Sequence, residues 1–134
     1  MATKRPAARS RKEPVCRTGI PSIIQCDLDE AGGVKGLIGR LPSQKIIGKI
    51  SATHHALSDP VRITILCLLG VQPLCVCVIK AVVRMADSKL SYHLNILKKA
   101  GMIEGEQQGQ WIIYHITGQA RTFLERERER FLRE

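Results

Sequence analysis

Two cysteines separated by one residue, Cys75 and Cys77, have the most distinctive chemistry of any side chains in the sequence. Thiolates bind soft ions, and they are also the groups that oxidants attack. On a regular helix, residues i and i+2 point about 200° apart. Both sulfurs can therefore reach one ion only if Cys75 lies at or before the start of a helix, or if ion binding unwinds the first turn. The pair is a candidate site for a soft ion or for thiol oxidation.

The chain of 134 residues has a formal net charge of +9, which indicates a polyanionic partner such as nucleic acid. Its length allows one domain and a tail. No apolar run approaches the ~18 residues of a membrane-spanning helix, so we expect a soluble, cytoplasmic protein with no membrane partner. The five cysteines lack the spacing of a disulfide framework, which predicts reduced thiols.

The N-terminal third differs from the rest of the chain. Residues 1–17 carry six basic side chains and one acidic side chain, and four glycines lie between Cys26 and Pro42. So many glycines disfavour a helix. We therefore predict a basic, flexible N-terminal arm and Gly-rich connector over residues 1–42, and a folded domain over residues 43–134. The arm is either a solubilising tail or a set of phosphate contacts.

Helical patterns dominate the folded part. Four helices are predicted, which begin near Ser43, Pro60, Cys75 and Asp87, and the last of them ends near Ala100. The run Ser58-Asp59-Pro60 is a start signal, because Ser or Asp can cap free N–H groups and proline is tolerated at the first helical position. Cys67 lies among the apolar residues of the second helix, and we predict that it fills the core.

The fourth helix has two distinct faces. Leu90, Leu94 and Leu97 fall on one side and are expected to face the core. The other side is polar and basic, which suits a helix in the DNA major groove, because Asn reads adenine edges while Lys, Ser and Tyr hold phosphates. The candidate DNA-binding residues are Ser88, Lys89, Ser91, Tyr92, His93, Asn95 and Lys99. An ordinary solvated helix face is the alternative.

A β-hairpin follows this helix, since Met102–Ile103 and Trp111–Ile116 have the composition of strands and the polar residues between them include two glycines. Three helices and a hairpin make a winged helix-turn-helix, a mainly α fold with a β-hairpin wing (α+β). The tip of this wing is acidic or neutral, which favours phosphate contacts over a solubilising tail as the role of the basic arm. A last helix begins at about Gln119.

Several motifs in combination resemble the ArsR/SmtB family of metal-sensing repressors. They are Ala56–Arg62, Leu74–Cys77, Ser88–Leu97, Ala100-Gly101 and Trp111-x-x-Tyr114, and the resemblance extends over roughly residues 45–125. The resemblance implies a homodimer that binds a palindromic, double-stranded operator when it is free of metal. It also implies that the operator is released when an ion binds.

The thiol pair is similar to the Cys-Val-Cys of the family's arsenite and cadmium/lead sensors. It departs from the arsenite pattern, because Pro73 and Val78 replace the flanking acids and Lys80 stands where a third cysteine is usual. By the same resemblance, further ligands would come from Cys16 and Cys26 in the arm. One arm thiol gives a trigonal site suited to As(III) or Sb(III), and two give a tetrahedral site suited to Cd(II), Pb(II) or Zn(II). We favour the first, with Cys26 as the third ligand.

Two other functions compete with an ion-responsive repressor. A thiol redox or sulfur-responsive regulator would form a disulfide or persulfide at Cys75 or Cys77 and would respond to an oxidant without metal. A thiol enzyme is the weakest candidate, because the sequence contains neither Cys-x-x-Cys nor a convincing nucleophile and base. We therefore predict a regulator that is not an enzyme and needs no cofactor for folding.

Overall fold

The structure, a computed structural model, describes residues 19–133 of the chain. Its elements in chain order are α1 (Ser22–Glu30), α2 (Gly33–Arg40), α3 (Gln44–Ala56), α4 (Pro60–Val71), β1 (Leu74–Cys75), α5 (Val76–Val83), α6 (Asp87–Lys99), β2 (Ile103–Gln108), β3 (Trp111–Ile116) and α7 (Gly118–Phe131). The chain divides into two compact units, one that ends at Ser43 and one that begins at Gln44. Across residues 19–133, none of the helices combines the length and the apolar character needed to cross a lipid bilayer.

The first unit contains a pair of short helices, α1 and α2, where the glycine content predicted an irregular connector. That prediction is wrong for these residues, because the glycines serve the turn between the helices. Gly32 and Gly33 have φ angles of 86° and 72°, which lie in the left-handed region that favours glycine. A Cβ atom on Gly36 would overlap the carbonyl oxygen of Ala31, so the close approach at this point requires glycine.

The start of α4 is fixed by Asp59, which precedes the helix and has an extended backbone. Its carboxylate accepts hydrogen bonds from the backbone N–H groups of Val61 at 2.8 Å and Arg62 at 3.1 Å. Pro60 occupies the first helical position, as the sequence predicted. Burial by itself would raise the pKa of the Asp59 carboxyl, but the two N–H groups and the charge of Arg62 outweigh it and lower that pKa below its ordinary value.

We expect Asp59→Ala to lower the free energy of unfolding by about 1 kcal/mol near neutral pH, because the first turn of α4 loses its cap. Asp59→Asn is the matched control, since its side-chain oxygen can still accept the same hydrogen bonds. The pKa of Asp59 is lower in the folded chain than in the unfolded chain. The stabilisation from its charge is therefore present above the ordinary pKa and is lost as the pH falls through the folded value. Urea unfolding at neutral and acidic pH measures both effects, and equal midpoints for Asp59→Ala and the parent would contradict the assignment.

The second unit packs α4, α5 and α6 against a small antiparallel sheet. The strand order is β1-β3-β2, so the predicted two-stranded wing gains a third strand of two residues. In this strand Leu74 pairs with Tyr114, and Cys75 pairs with Ile113. The largest fully buried side chains are Ile65, Leu66, Leu69, Ile79, Leu90, Leu97, Met102 and Ile103. Three helices and this sheet confirm the predicted winged helix-turn-helix.

Cys67 is exposed on α4, so the prediction that it fills the core is wrong. The buried positions of this helix are Arg62, Ile65, Leu66 and Leu69, which follow a spacing of three and four residues. Cys67 lies outside that stripe although its neighbours in the sequence are apolar. The stripe itself includes a charged residue, Arg62.

Candidate thiol site and nucleic-acid interface

Cys75 and Cys77 lie on either side of the point where β1 ends and α5 begins. Cys75 is the N-cap residue of α5 and has an extended backbone, with φ −78° and ψ 160°. Cys77 lies in the first turn of that helix. Their Cα atoms are 5.5 Å apart and their sulfurs are joined in a disulfide. The geometric condition set by the sequence is therefore met, because Cys75 lies before the helix start and both sulfurs reach the same point.

The thiol pair is connected to the wing on one side and to α6 on the other. Through β1, the backbone of Cys75 pairs with Ile113 of β3. Through α5, Cys77 is followed by Lys80, whose Nζ lies 2.6 Å from Oδ1 of Asp87 in the first turn of α6. Both of these charged side chains are exposed, so their ion pair adds little stability. It nevertheless joins the helix that carries the thiols to α6.

The polar face of α6 is open to solvent, while Leu90, Leu94 and Leu97 on the other face are buried as predicted. The exposed side chains include six of the seven predicted DNA-binding residues, namely Ser88, Lys89, Ser91, Tyr92, Asn95 and Lys99. Asp87, the one acidic residue in the sequence of this helix, is paired with Lys80. The exposed face thus presents hydroxyl, amide and ammonium groups to a partner.

His93, the seventh predicted DNA-binding residue, is buried, with 8% of its surface exposed. Its Nδ1 lies 3.2 Å from Nη1 of Arg62, and its ring meets the ring of Tyr92 edge to face. This geometry does not favour direct contact between His93 and DNA. Arg62, the last residue of the motif Ala56–Arg62, is also buried. Its local pattern gives no sign of a partner 31 residues away.

The wing is polar and has no basic side chain between Glu104 and Gln110. Gly109 turns the tip with a φ of 61°, and the side-chain amide of Gln107 donates to its carbonyl oxygen at 2.8 Å. At the base of the wing, Nε2 of His115 lies 3.4 Å from a carboxylate oxygen of Glu104. The wing therefore lacks the cations that usually hold a phosphate backbone.

The two arm cysteines differ in what the structure shows of them. Cys26 is an exposed, free thiol in α1. Cys16 lies outside the described residues. Within residues 19–133, no three His, Cys, Asp or Glu side chains form a group that could hold a metal ion. Cys75 and Cys77 bring two sulfurs together, and a third ligand would have to come from elsewhere.

Apolar side chains are exposed at both ends of the second unit. Ile47 and Ile50 of α3 are 38% and 52% exposed, and the first buried residue of that helix is Ala56. At the end of the chain, Phe131 is 64% exposed and Leu132 is 72% exposed. Clusters of large apolar side chains in contact with water are typical of an interaction surface.

Comparison with known sequences agrees with this architecture. The family profile described as "Bacterial regulatory protein, arsR family" matches residues 59–104. The HTH-type transcriptional regulator MJ1325 of Methanocaldococcus jannaschii is 39% identical over 69 residues, which are 51% of this chain and 78% of that protein. The arsenical resistance operon repressor of Bacillus subtilis is 36% identical over 75 residues, with coverage of 54% of this chain and 70% of that protein.

Solved structures have the same fold. HlyU from Vibrio cholerae N16961 superimposes with a TM-score of 0.59 at 22% identity, over 67% of this chain and 99% of that chain. The homodimeric winged helix-turn-helix DNA-binding domain Mb0332 from Mycobacterium bovis has a TM-score of 0.58 at 26% identity, over 66% of this chain and 85% of that chain.

Helices that lead into an antiparallel wing, with a polar face exposed on α6, define a winged helix-turn-helix DNA-binding protein. The chain belongs to the ArsR/SmtB family of transcriptional regulators. Proteins of this family regulate transcription and are not enzymes. The predictions of family, fold class and absence of enzymatic activity are therefore confirmed.

Proposed function

We propose that the protein is a repressor that binds operator DNA as a homodimer and is released when a thiophilic ion, As(III) or Sb(III), binds the thiolates of Cys75 and Cys77. The observation that supports this most directly is the position of Cys75 at the N-cap of α5, which lets both sulfurs converge. Two thiols that converge where β1 ends and α5 begins suit a soft ion. The similarity to an arsenical resistance operon repressor supports the same inducer.

DNA binding is assigned to the exposed face of α6. In a major groove, the amide of Asn95 can pair with an adenine edge, while Lys89 and Lys99 contact phosphates. The net charge of +9 favours the approach of the protein to DNA. In a symmetric dimer the two α6 helices would lie ~34 Å apart, one turn of DNA, which predicts a palindromic operator.

The dimer interface is assigned to the apolar face of α3. Ile47 and Ile50 are large, apolar and well exposed in the single chain. A second copy related by a twofold axis presents the same face, so each copy can bury the isoleucines of the other. The homodimeric state of the related domain from Mycobacterium bovis supports this assignment.

The third sulfur is assigned to Cys26, from either subunit. Its thiol is exposed and free, so it is available to a ligand. Three sulfurs suit As(III) or Sb(III). If Cys16 also binds, four sulfurs suit Cd(II), Pb(II) or Zn(II), which are the alternative inducers.

We expect Cys26→Ser to weaken As(III) binding by at least about tenfold. Loss of a side chain that only orients a metal ligand already costs ~10–100-fold in metal affinity, and loss of a ligand itself should cost at least as much. Calorimetric titration of the reduced protein measures this change. Cys67→Ser is the matched control, since Cys67 is also an exposed thiol but lies on α4. Unchanged affinity and stoichiometry in Cys26→Ser would remove this residue from the site.

A thiol redox regulator is the second candidate, and the disulfide between Cys75 and Cys77 supports it. Its formation transfers two electrons to an oxidant and releases two protons, and it leaves no thiolate for an ion. The bond joins the last residue of β1 to the first turn of α5. Oxidation and ion binding would therefore act on the same junction between β1 and α5.

Release from DNA distinguishes these functions. Fluorescence anisotropy would follow the reduced protein on labelled DNA from the region upstream of its own gene. We expect As(III) to weaken binding by about 5–150-fold, the usual range for coupling between two ligands. Release by peroxide without metal would favour the redox regulator. Release by Cd(II), Pb(II) or Zn(II) but not by As(III) would favour the alternative ions. If neither As(III), nor any of these ions, nor peroxide releases the protein, both candidate functions are contradicted.

A further inference from the structure

Arg62 is a charged residue inside the fold, with 5% of its surface exposed. Its Nε donates to the carbonyl oxygen of Ala56 at 2.8 Å, and its Nη2 donates to the carbonyl oxygen of His55 at 3.0 Å. Its Nη1 lies 3.2 Å from Nδ1 of His93. Because a guanidinium has donors and no acceptor, Nδ1 must accept this hydrogen bond. Such a hydrogen bond requires the tautomer of His93 that carries its proton on Nε2 and leaves Nδ1 unprotonated.

These contacts join three helices. The two carbonyl groups belong to the end of α3, Arg62 lies in the first turn of α4, and His93 lies in the middle of α6. His93 stands between Tyr92, which is 58% exposed on the polar face, and Leu94, which is buried in the core. A restraint on His93 therefore fixes how α6 is rotated about its own axis relative to the end of α3.

The guanidinium depends on each of its acceptors. Asp59, the acidic residue nearest to Arg62 in the sequence, accepts a hydrogen bond from the backbone N–H of Arg62. Two of the three acceptors that the guanidinium contacts are carbonyl oxygens, and the third is the ring nitrogen of His93. A buried donor left without a partner is costly, so loss of Nδ1 would force Nη1 to seek another acceptor. Such a move would remove this restraint on the rotation of α6.

We infer that Arg62 and His93 form a positioning pair for operator recognition, in which a neutral histidine sets the orientation of the polar face of α6. This inference rests on the proposed DNA-binding role of that face. On this inference, His93 positions the DNA-reading residues of α6 and does not itself contact DNA. It also links the helix that carries the proposed dimer interface, α3, to the helix that enters the groove.

Two substitutions distinguish the effect of losing the hydrogen-bond acceptor at Nδ1 from the effect of losing the imidazole ring. His93→Asn keeps an oxygen where Nδ1 stands, whereas His93→Leu keeps a side chain of similar size and has no acceptor. We expect His93→Leu to lose about tenfold or more in operator affinity and His93→Asn to lose less than about threefold. Affinity for non-specific DNA of the same length should change little in both, because the phosphate contacts remain.

A double-substitution cycle assigns the effect to the pair. Arg62→Met and His93→Leu remove the same hydrogen bond, so we expect their combined effect on operator affinity to be smaller than the product of the single effects. Independent, multiplicative losses would overturn the proposed pair. So would equal operator affinities of His93→Leu and His93→Asn.

The tautomer of His93 can be measured in the parent protein alone. It therefore tests the hydrogen bond between Arg62 and His93 even if His93→Leu fails to fold. Long-range proton–nitrogen correlation spectra should show Nε2 protonated and Nδ1 unprotonated. A proton on Nδ1 would overturn the pair. A parent protein that does not distinguish operator from non-specific DNA would instead overturn the proposed function and, with it, the recognition role of the pair, whatever the spectrum shows.

Discussion

The variant Cys75→Ser/Cys77→Ser will bind operator DNA as tightly as the parent protein and will not be released by As(III). In a typical coupled system, ion binding and DNA binding oppose each other by about 1–3 kcal/mol. We therefore expect As(III) to lower the operator affinity of the parent by ~5–150-fold and to leave the operator affinity of the variant unchanged. Serine hydroxyls stay protonated near neutral pH and are poor ligands for a soft ion. The substitutions leave the polar face of α6 unchanged, because both residues lie outside that helix.

The same variant tests the redox alternative, since it cannot form the disulfide between residues 75 and 77. Peroxide should therefore have no effect on its DNA affinity. Cys67→Ser is again the control, and it should respond to As(III) as the parent does. If inducer releases the double variant as readily as the parent, sensing takes place elsewhere and this corner of the fold has a structural role only.

We expect Asn95→Ala to lose about 1–3 kcal/mol of operator binding, or ~5–150-fold in affinity, and to relax specificity at one base pair. The side chain is exposed on α6, and alanine is a better helix former than asparagine, so the helix itself should not be weakened. Affinity measured on the operator and on single-base variants would identify the base pair. An unchanged preference at every position would show that Asn95 does not read DNA.

Lys99→Ala is the matched comparison for Asn95→Ala, because it lies on the exposed part of the same helix and is assigned to a phosphate. It should weaken binding to all DNA sequences alike and reduce the slope of affinity against salt concentration by about one. A base-specific effect of Lys99→Ala would instead move the assigned reading position towards the end of α6.

The features of the fold that sequence predicted well are those set by residues close together in the chain. The cap of α4 depends on Asp59 and the two N–H groups that follow it. The buried side of α6 depends on the spacing of Leu90, Leu94 and Leu97. In both cases the physical cause acts within one or two turns of helix, so a local pattern contains it.

The features that sequence missed depend on distant or compensating contacts. Strand β1 is two residues long, and only its pairing with β3 makes it a strand. Helix α2 contains glycines that disfavour helix, yet Gly36 allows the close approach to Ala31. The contact between Arg62 and His93 spans 31 residues, and it involves a histidine that the sequence pattern of α6 grouped with the candidate DNA-binding residues.

The exposure of Cys67 has a practical consequence for assays that count reactive sulfur. Because this thiol faces solvent on α4, a maleimide reagent should modify it in folded protein whether or not Cys75 and Cys77 are oxidised. Labelling at Cys67 then serves as an internal standard in mass spectra, against which the oxidised fraction of the other two can be normalised. A Cys67→Ser background would equally remove this thiol as a source of unwanted cross-linking between molecules during purification.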